Sequence, residues 1–577
     1  MTISILDKSR WNRLIWGDNL LAMQALLANG YAGKIDLIYI DPPFSSDADY
    51  SYQLEIEGRQ VEKQASIIER LAYTDTWEGG LDSYLDMMYP RLQLMKRLLS
   101  EKGTIYLHVD WRIVHYLRNL LDEIYGSNNF LNEIIWSYFA FKRSTSKKFP
   151  QKHDIIVSYR KNIDEFIWNT QYKPHKPEYL KRWKKDADGR YYRDDVNPTA
   201  GGTRIIYLDQ IEGDIVDSVW DDIPPVNPVA NERTSFPTQK PEALLERIIR
   251  ASSNEGDLVF DAFCGSGTTM AVAERLNRRW IGCNLDKVGI QVSRNRLVNQ
   301  GAKPFLLENI GNYQRHMIYL SGSKINEMQR IILKLYGAEP RSDRPDLGIL
   351  TNDDKDPELA YVGYPDRPIT AKKAIELAQD AQILDGTGYK TLVVLAWDYD
   401  YNFSTELESR KKALSDRLKV EIKTLTIPPE IYNYLKKAKN ENELDNLRDK
   451  IVFHEKPYLR VSKPEVRDAG NGKVGITISI DRYVLMDFPI SDDKQKAELR
   501  KAIKDNFAAL IDYWAIDWDY DGKTFRSMWQ AIRGNGKQTK TVVTTAESLE
   551  LPAGKRTIAV RLVDVFGNDA SATVEVK

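Results

Sequence analysis

A carboxylate, two prolines and an aromatic ring stand together at the end of an apolar run. The run is Ile35–Ile40, and Asp41, Pro42, Pro43 and Phe44 follow it. Consecutive prolines have fixed φ and no N–H, so they form a stiff, non-helical turn. Asp41 and the Pro42 carbonyl could accept hydrogen bonds from an exocyclic amine while Phe44 stacks on the ring that bears it. The alternative is a strand-ending turn with a solvated aspartate.

A second candidate site follows the apolar strand that ends at Asp261. The residues Phe263-Cys264-Gly265-Ser266-Gly267-Thr268 indicate a glycine turn that opens a helix. The turn lacks the third glycine of a dinucleotide fingerprint and the Gly-Lys-Ser/Thr of a Walker loop. Its glycines permit close backbone approach to a ligand, and Asp261 adds a carboxylate. Asn284 and Asp286 end the next strand, at a spacing that suits ribose hydroxyls. The alternative is a glycine turn needed only for packing.

Positive charge is concentrated in one part of a chain whose net charge is −1. From Lys142 to Arg193 there are 15 Lys/Arg and 6 Asp/Glu, with seven Tyr and Trp residues interleaved from Tyr159 onward. Basic groups neutralise phosphates and aromatic rings stack on unpaired bases, so this mixture fits a nucleic-acid groove. The alternative is a solvated basic face. The candidate nucleic-acid-binding residues are Lys142, Arg143, Lys147, Lys148, Lys152, Lys181, Arg182, Lys184 and Lys185.

Strands and helices alternate around the two turns. Leu14 to Asp18, the helix Asn19 to Ala28 and the strand to Asp41 predict a parallel βαβ unit. A helix from Leu81 to Leu99, a strand from Thr104 to Asp110 and a helix from Ile113 to Tyr125 follow, and then a hairpin of Ile134 to Phe139 with Asp154 to Tyr159. Residues 45–80 are expected to form a loop over the site. Residues 161–236 are expected to be an inserted lobe outside the main sheet.

Composition limits the class of protein. A chain of 577 residues is too long for one core, so several domains are expected. Only two cysteines, Cys264 and Cys283, are present, so there is no disulfide framework and a reducing cytoplasm is expected. No histidine or cysteine pattern has metal-ligand spacing, so no metal site is predicted. No signal peptide or membrane-spanning run is evident, so no membrane partner is expected.

These motifs, in this order, resemble those of a known family. The chain is similar to DNA amino-methyltransferases that use S-adenosylmethionine to methylate adenine N6 or cytosine N4. It resembles their beta group, in which the catalytic turn precedes the cofactor turn and to which Type III restriction-system modification subunits belong. The resemblance covers about residues 11–300. The motifs that carry it are Gly17-Asp18, Asp41-Pro42-Pro43-Phe44, Leu107-His108-Val109-Asp110, Pro237-Thr238-Gln239-Lys240-Pro241 and Asp261 to Thr268.

The resemblance implies a role for each motif. Asp41, Pro42, Pro43 and Phe44 would form the catalytic turn that holds the target base. Asp18 would bind the amine of the cofactor's adenine. The other residues implied in cofactor binding are Thr238, Lys240, Pro241, Asp261, Phe263, Gly265, Gly267, Thr268, Asn284 and Asp286. Residues 161–236 would recognise the target sequence.

Two positions depart from the family pattern. The acidic residue expected to bind the ribose is Asn284 here, and Asp286 could replace it. The usual tyrosine of the catalytic turn is Phe44, which keeps the stacking face. The Asp-Pro-Pro form is the usual one for adenine, whereas cytosine-N4 enzymes more often carry Ser-Pro-Pro, so adenine is favoured.

The expected function is therefore site-specific methylation of adenine N6 in double-stranded DNA. The target nucleotide would be flipped out of the duplex, and its amine would attack the sulfonium methyl directly, in line. The alternatives are cytosine-N4 methylation and a catalytically silent DNA-binding subunit. A restriction or helicase subunit is a further candidate partner.

The expected fold is α/β, a permuted Rossmann-like methyltransferase with additional C-terminal parts. The expected domains are 1–160 and 237–305 for the two parts of the methyltransferase, 161–236 for target recognition, 306–512 for an α/β accessory region and 513–577 for a β-sandwich. In the accessory region, Glu421-Ile422-Lys423 with Asp398 and Asp400 is the residue set of a metal-dependent nuclease. A partner-binding or DNA-clamping role is preferred, because so short a pattern is common by chance.

Overall fold

The protein is described here by a computed structural model. The described residues are 11–43, 51–56, 59–64, 80–138, 149–175, 177–196, 203–227, 230–234, 236, 238–310, 325–352, 355–365, 367–414, 417–427, 453–455, 457–485, 493–522, 524–534 and 542–576. The chain forms two compact units. The first comprises residues 1–46 and 76–308, and the second comprises residues 47–75 and 309–577.

A nine-stranded sheet forms the centre of the first unit. Its strands are β1 (Asn12–Trp16), β2 (Ile35–Ile40), β3 (Leu99–Val109), β4 (Phe130–Ser137), β5 (His153–Arg160), β6 (Val219–Trp220), β7 (Leu258–Asp261), β8 (Arg279–Asn284) and β9 (Phe305–Asn309). The order across the sheet is β6-β4-β5-β3-β2-β7-β8-β1-β9. Neighbours from β3 through β2, β7 and β8 to β1 are parallel, and β5 is antiparallel to both β3 and β4.

Helices connect these strands. They are α1 (Asn19–Ala28), α2 (Gly80–Leu98), α3 (Val114–Tyr125), α4 (Glu242–Ser252), α5 (Thr268–Arg275) and α6 (Lys287–Asn299). In α4 the apolar residues Leu244, Leu245, Ile248 and Ile249 recur at helical spacing, and all four are buried against the sheet. Strand β2 is buried almost throughout, as a parallel strand covered on both faces must be.

The expected α/β fold is confirmed for the first unit, including the opening βαβ arrangement and the β4–β5 hairpin. One expectation is wrong. Val219–Trp220 lies within the segment expected to stand apart from the main sheet, yet it pairs in parallel with Ile135 and Trp136 of β4. Trp220 is buried in the main core and its indole N–H donates to the Asp217 carbonyl, which holds the segment in place.

The rest of the 161–236 segment contributes small sheets. One has three strands, Thr203–Tyr207, Tyr191–Val196 and Lys184–Lys185, in that order. Tyr172–Lys173 pairs with Asp214–Ile215 in a second sheet. A short helix, Pro177–Leu180, stands between them in the chain.

The second unit begins with an α/β part. Its six-stranded sheet follows chain order, with strands Glu339–Pro340, Leu347–Asn352, Lys355–Val362, Thr391–Ala396, Glu421–Thr426 and His454–Glu455. Its helices are Ile325–Tyr336, Ala371–Ile383 and Phe403–Ala413. Buried residues lie on both faces of this sheet, as the predicted α/β character requires.

The C-terminal β-structure is larger than expected. The strands Tyr458–Val461, Glu465–Gly470, Lys473–Val484, Thr545–Glu547 and Leu551–Pro552 form one sheet, and Ile511–Asp517, Trp529–Ile532, Arg556–Asp564 and Asp569–Val576 form another. Both sheets and the helix Asp493–Asp505 contribute to one core, which includes Ile478, Leu499 and Trp514. A domain boundary at residue 512 would cut this core, so the expected boundary is too late.

The segment 45–80 also differs from the loop expected there. Ser51–Ile56 and Arg59–Gln64 pair as an antiparallel hairpin that belongs to the second unit. Among the helices that the structure describes, none has the length and apolarity of a membrane span.

Candidate active site

The catalytic-type turn and the glycine turn are neighbours at one edge of the sheet. Val259 and Phe260 of β7 are in register with Leu37 and Ile38 of β2, so both strands end at the same edge. Asp261 ends β7, and Asp41 follows directly after β2. Ligands of open α/β sheets bind at this carboxyl edge. Pro42 and Pro43 continue the β2 turn, and Phe44 lies outside the described residues.

The Asp41 carboxylate forms an ion pair within the site. The Lys240 ammonium donates to Asp41 Oδ2, and the two side chains are only 13% and 18% exposed, respectively. Sequence reasoning placed both residues in the site but assigned Lys240 to the cofactor. The contact joins positions 199 residues apart, so no local pattern could have predicted it.

Asp261 is a second, fully buried carboxylate. Burial raises its pKa to about 7, although the Thr269 hydroxyl and the Phe263 N–H both donate to it. Asp41 contributes to this raised pKa, and Lys240 opposes it. The Asp261 carboxylate, which precedes the glycine turn, is therefore held by hydrogen bonds from Phe263 and Thr269.

The two glycines of the turn have left-handed backbones, with φ of +47° at Gly265 and +78° at Gly267. A Cβ on Gly267 would lie 2.8 Å from Ser293 Oγ of α6, and one on Gly265 would lie 3.1 Å from the Phe236 ring. Packing against α6 is therefore one reason for a glycine at position 267, whether or not a ligand approaches the turn. The Thr268 hydroxyl accepts from the Arg296 guanidinium at 2.9 Å.

Asp18 begins α1 beside this edge. Its Oδ1 accepts from the Leu20 N–H at 2.8 Å, which caps the helix, and from Arg91 Nη2 at 3.0 Å. Arg91 also donates to the Asn19 amide oxygen, and the Asn19 amide donates to the Ala262 carbonyl. Asp18 is thereby tied to the strand that carries Asp261.

Asp286 has a structural task. Its two carboxylate oxygens accept from the N–H groups of Val288 and Gly289, both at 2.8 Å, and cap α6. Its side chain is buried, and the neighbouring Asn284 amide donates to the Asp286 carbonyl. Because Asp286 Oδ1 and Oδ2 both serve the helix, Asn284 is the better candidate for a ribose contact.

The Thr238-to-Pro241 segment leads into α4 and is anchored on both sides. Gln239 accepts from Thr234 and donates to the Glu232 carbonyl, and Pro241 is the residue before the helix. Thr238 itself is exposed. The segment thus places Lys240 over the site while Thr238 faces solvent.

A buried hydrogen-bond chain lies behind Asp41. The Tyr39 hydroxyl is 2.8 Å from His108 Nδ1, His108 Nε2 is 3.3 Å from Asp154 Oδ2, and the Tyr138 hydroxyl donates to Asp154 Oδ1 at 3.1 Å. Burial would raise the pKa of Asp154, but His108, Lys240 and Tyr138 lower it more. His108 is a hydrogen-bonded core residue. Asp154 is not among the predicted site residues, because the sequence shows only that it begins a strand.

The basic lobe holds part of its charge in internal pairs. Lys184 pairs with Asp194 at 3.0 Å, and Lys185 lies over the Tyr191 ring at 4.8 Å. Lys181 and Arg182 are exposed on the same lobe. Lys152 precedes β5. The other candidate DNA contacts, Lys142, Arg143, Lys147 and Lys148, lie outside the described residues.

The residues of the nuclease-like pattern in the second unit do not lie together in one site. Glu421 is in register with Thr391 at the start of its neighbouring strand, whereas Asp398 and Asp400 follow that strand's far end. Lys423 donates instead to Glu358 at 2.6 Å. Among the described residues, no group of three or more His, Cys, Asp or Glu side chains is arranged to hold a metal ion.

Comparison with known proteins agrees with this geometry. The sheet and its helices define an α/β protein with two turns at the carboxyl edge of the sheet. Residues 35–295 match the model of the DNA methylase family of N6 and N4 methyltransferases, so this segment is similar to that family. The recognition of an amino-methyltransferase from its motifs is confirmed.

Named relatives match about half of the chain. It is 30% identical to the type II methyltransferase M.EcaI of Enterobacter cloacae, over 47% of this chain and 66% of the relative. It is 24% identical to the StyLTI Mod subunit, a type III restriction-modification protein of Salmonella typhimurium, over 52% and 58%, respectively. The DNA adenine methyltransferase YhdJ of Escherichia coli is 25% identical, over 49% and 82%. The chain thus spans less than two thirds of the length of M.EcaI and of the StyLTI Mod subunit.

Solved structures also resemble this part of the chain. The crystal structure of M1.HpyAVI in complex with SAM is 19% identical and covers 49% of this chain and 98% of its own, with a TM-score of 0.31.

Proposed function

We propose that this protein is a site-specific DNA methyltransferase that transfers a methyl group from S-adenosylmethionine to adenine N6. The observation that carries the proposal is the position of Asp41, on the carboxyl edge of the sheet and directly beside the strand that leads into the glycine turn. A base held at the first turn would lie next to a cofactor held at the second. The DNA adenine methyltransferase among the relatives supports adenine as the target.

The residues around the glycine turn fit S-adenosylmethionine. The positive-φ turn leads into the N-terminus of α5, which favours an anionic group such as the cofactor's carboxylate. Asp18 Oδ2 and the Asn284 side chain are acceptors at the ends of β1 and β8, where an amine and a ribose would be recognised. When bound, the cofactor supplies an electrophilic methyl group.

The chain's own residues would orient the target amine. Asp41 and the Pro42 carbonyl would each accept one N–H of the exocyclic amine and draw its lone pair out of conjugation with the ring. Orientation of this kind supplies much of the rate of a direct transfer. Extruding the base costs a few kcal/mol, of which stacking on Phe44 would return about 1–3 kcal/mol.

The partner proposed for the first unit is double-stranded DNA, held in part by the basic lobe. The Mod subunits among the relatives make a restriction subunit a further candidate partner, with the second unit as the place where it would bind. The proposed location of this activity is the cytoplasm.

Methyl transfer to DNA tests the proposal directly. The purified protein is incubated with radiolabelled S-adenosylmethionine and genomic duplex DNA, and the modified nucleoside is then identified by mass spectrometry. N6-methyladenine is the expected product. N4-methylcytosine would correct the target base, and cofactor binding without transfer to any DNA would indicate a catalytically silent subunit.

A further inference from the structure

Lys240 links the two turns of the active site. Its ammonium donates to Asp41 Oδ2 in the turn after β2, and its backbone carbonyl accepts from the Thr268 hydroxyl at the start of α5, at 3.4 Å. Pro241 follows Lys240 and disfavours a helical backbone before it, so the side chain leaves an extended segment. This lysine therefore reaches the catalytic carboxylate from a backbone that is anchored to the cofactor turn.

The contact uses only one oxygen of Asp41. Within the described part of the chain, no hydrogen-bond donor reaches Asp41 Oδ1, and the carboxylate is only 18% exposed. A carboxylate can rotate rather freely about its last torsion. An ammonium fixed on Oδ2 restricts this rotation and leaves Oδ1 able to accept from another donor. In the proposed reaction that donor is the N–H of the target amine.

Lys240 also balances the charge of its surroundings. Its positive charge lowers the pKa of both Asp154 and Asp261, and Asp41 raises the pKa of Asp261. Lys240 therefore interacts with three carboxylates at this edge of the sheet, those of Asp41, Asp154 and Asp261. The nearby guanidinium of Arg91 pairs with Asp18 instead, and Arg296 pairs with Glu242.

We propose that Lys240 is a positioning residue for Asp41: it holds Oδ2 so that Oδ1 faces the target amine, and it is not a ligand of the cofactor. The inference rests on the proposed function and assigns a different task to a residue that the family resemblance places on the cofactor. Its consequence is that transfer and cofactor binding respond separately to the loss of this side chain.

The test compares Lys240→Met and Lys240→Arg with the wild-type chain. Three quantities are measured for each: the affinity for S-adenosylhomocysteine by calorimetry, the single-turnover rate of transfer to duplex DNA, and the fluorescence of 2-aminopurine at the target position. Thermal unfolding checks that the variants fold. Lys303→Met is the matched control, because Lys303 is exposed and precedes β9, an outermost strand of the sheet that does not neighbour β2 or β7.

We expect Lys240→Met to slow transfer by about 100-fold or more, in line with the loss of an orienting contact. Its affinity for S-adenosylhomocysteine should change less than about threefold, since the cofactor does not use this side chain. Arginine can also pair with a carboxylate, so Lys240→Arg should recover part of the rate. Base flipping should remain, because the base pocket itself is intact. Lys303→Met should match the wild type throughout.

Two results would overturn the inference while the proposed function stands. One is a loss of cofactor affinity as large as the loss of rate, which would return Lys240 to the cofactor. The other is an unchanged rate in Lys240→Met. Failure of the wild-type chain to methylate any DNA would overturn the proposed function itself and this inference with it.

Discussion

Gly267 lies so close to Ser293 that no side chain fits between them. A Cβ on Gly267 would be 2.8 Å from Ser293 Oγ and 2.9 Å from Ser293 Cβ, and the φ of Gly267 is +78°. The glycine is therefore required twice, once by its backbone conformation and once by the packing of α5 on α6. It serves the shape of the cofactor turn even where it touches no ligand.

Gly267→Ala should therefore destabilise the first unit by about 2–4 kcal/mol, of which about 1 kcal/mol is backbone strain and the rest is overpacking. Gly256→Ala is the matched control. It has a similar φ of +83° with nothing within 4 Å of the added Cβ, so it should cost only the strain, about 1 kcal/mol. Urea unfolding, followed by hydrogen exchange in β7, measures both. Equal losses in the two variants would remove the packing argument.

Asp18 and Asp286 both cap helices but should differ in cofactor binding. Asparagine is also a good N-cap, so Asp18→Asn should keep the fold, whereas Asp286→Asn should keep only one of the two N–H contacts at the start of α6 and lower stability modestly. Asp18→Asn replaces Oδ2, the proposed acceptor for the cofactor's amine, and should weaken S-adenosylhomocysteine binding about tenfold, or about 1.4 kcal/mol. Asp286→Asn should leave the affinity within about twofold, because both Asp286 oxygens serve α6. Calorimetry that gave the opposite ranking would return the ribose contact to Asp286.

Asp261 should make the stability of the first unit depend on pH. Burial raises its folded pKa to about 7, above the ordinary value of 3.8. A carboxyl group with a raised pKa contributes stability below its unfolded pKa, and that contribution is lost as the pH rises through the folded pKa. Stability should thus fall between about pH 4 and pH 7, by about 4 kcal/mol at most from this group.

The isosteric variant Asp261→Asn tests this dependence. It cannot ionise, so the local stability of β7, measured by hydrogen exchange, should be flatter across this pH range than in the wild type. The same fall with pH in both proteins would mean that another group titrates.

The basic lobe should supply a measurable share of the salt dependence of DNA binding. If Lys181 and Arg182 each contact a phosphate, replacing both with alanine should flatten the slope of log K against log salt by about 2 and weaken all sequences alike. Lys184 is a poorer choice for this test because Asp194 already neutralises it. Lys303→Ala serves as the control, and fluorescence anisotropy at several salt concentrations gives the slopes. Unchanged slopes in the double variant would place the phosphate contacts elsewhere.

Local patterns in the sequence were sufficient to predict the central fold. The buried run Ile35–Ile40 and the helical spacing of Leu244, Leu245, Ile248 and Ile249 each predict an element that the structure contains. Both turns were found because glycine and proline mark them directly. The alternation of Tyr52, Leu54 and Ile56 also indicates a strand, and it was overlooked in a segment that reads as polar.

Long-range contacts account for what could not be predicted. Lys240 meets Asp41 because the segment before α4 reaches the turn after β2, and Asp154 meets His108 because β5 pairs with β3. Asp286 was assigned to a ribose by its spacing, whereas its helix-capping role became visible only when the N–H groups of Val288 and Gly289 had been located. Ile478 and Trp514 likewise belong to one core, although the domain boundary expected at residue 512 would separate them.

The most direct test of the whole account is Asp41→Ala, measured for methyl transfer and for cofactor affinity in the same preparation. We expect transfer to DNA to be abolished while the affinity for S-adenosylhomocysteine stays within about threefold of the wild type, because Asp41 acts on the target amine and the cofactor is held at the adjacent strands. Transfer at the wild-type rate, or the loss of cofactor binding together with activity, would contradict this expectation.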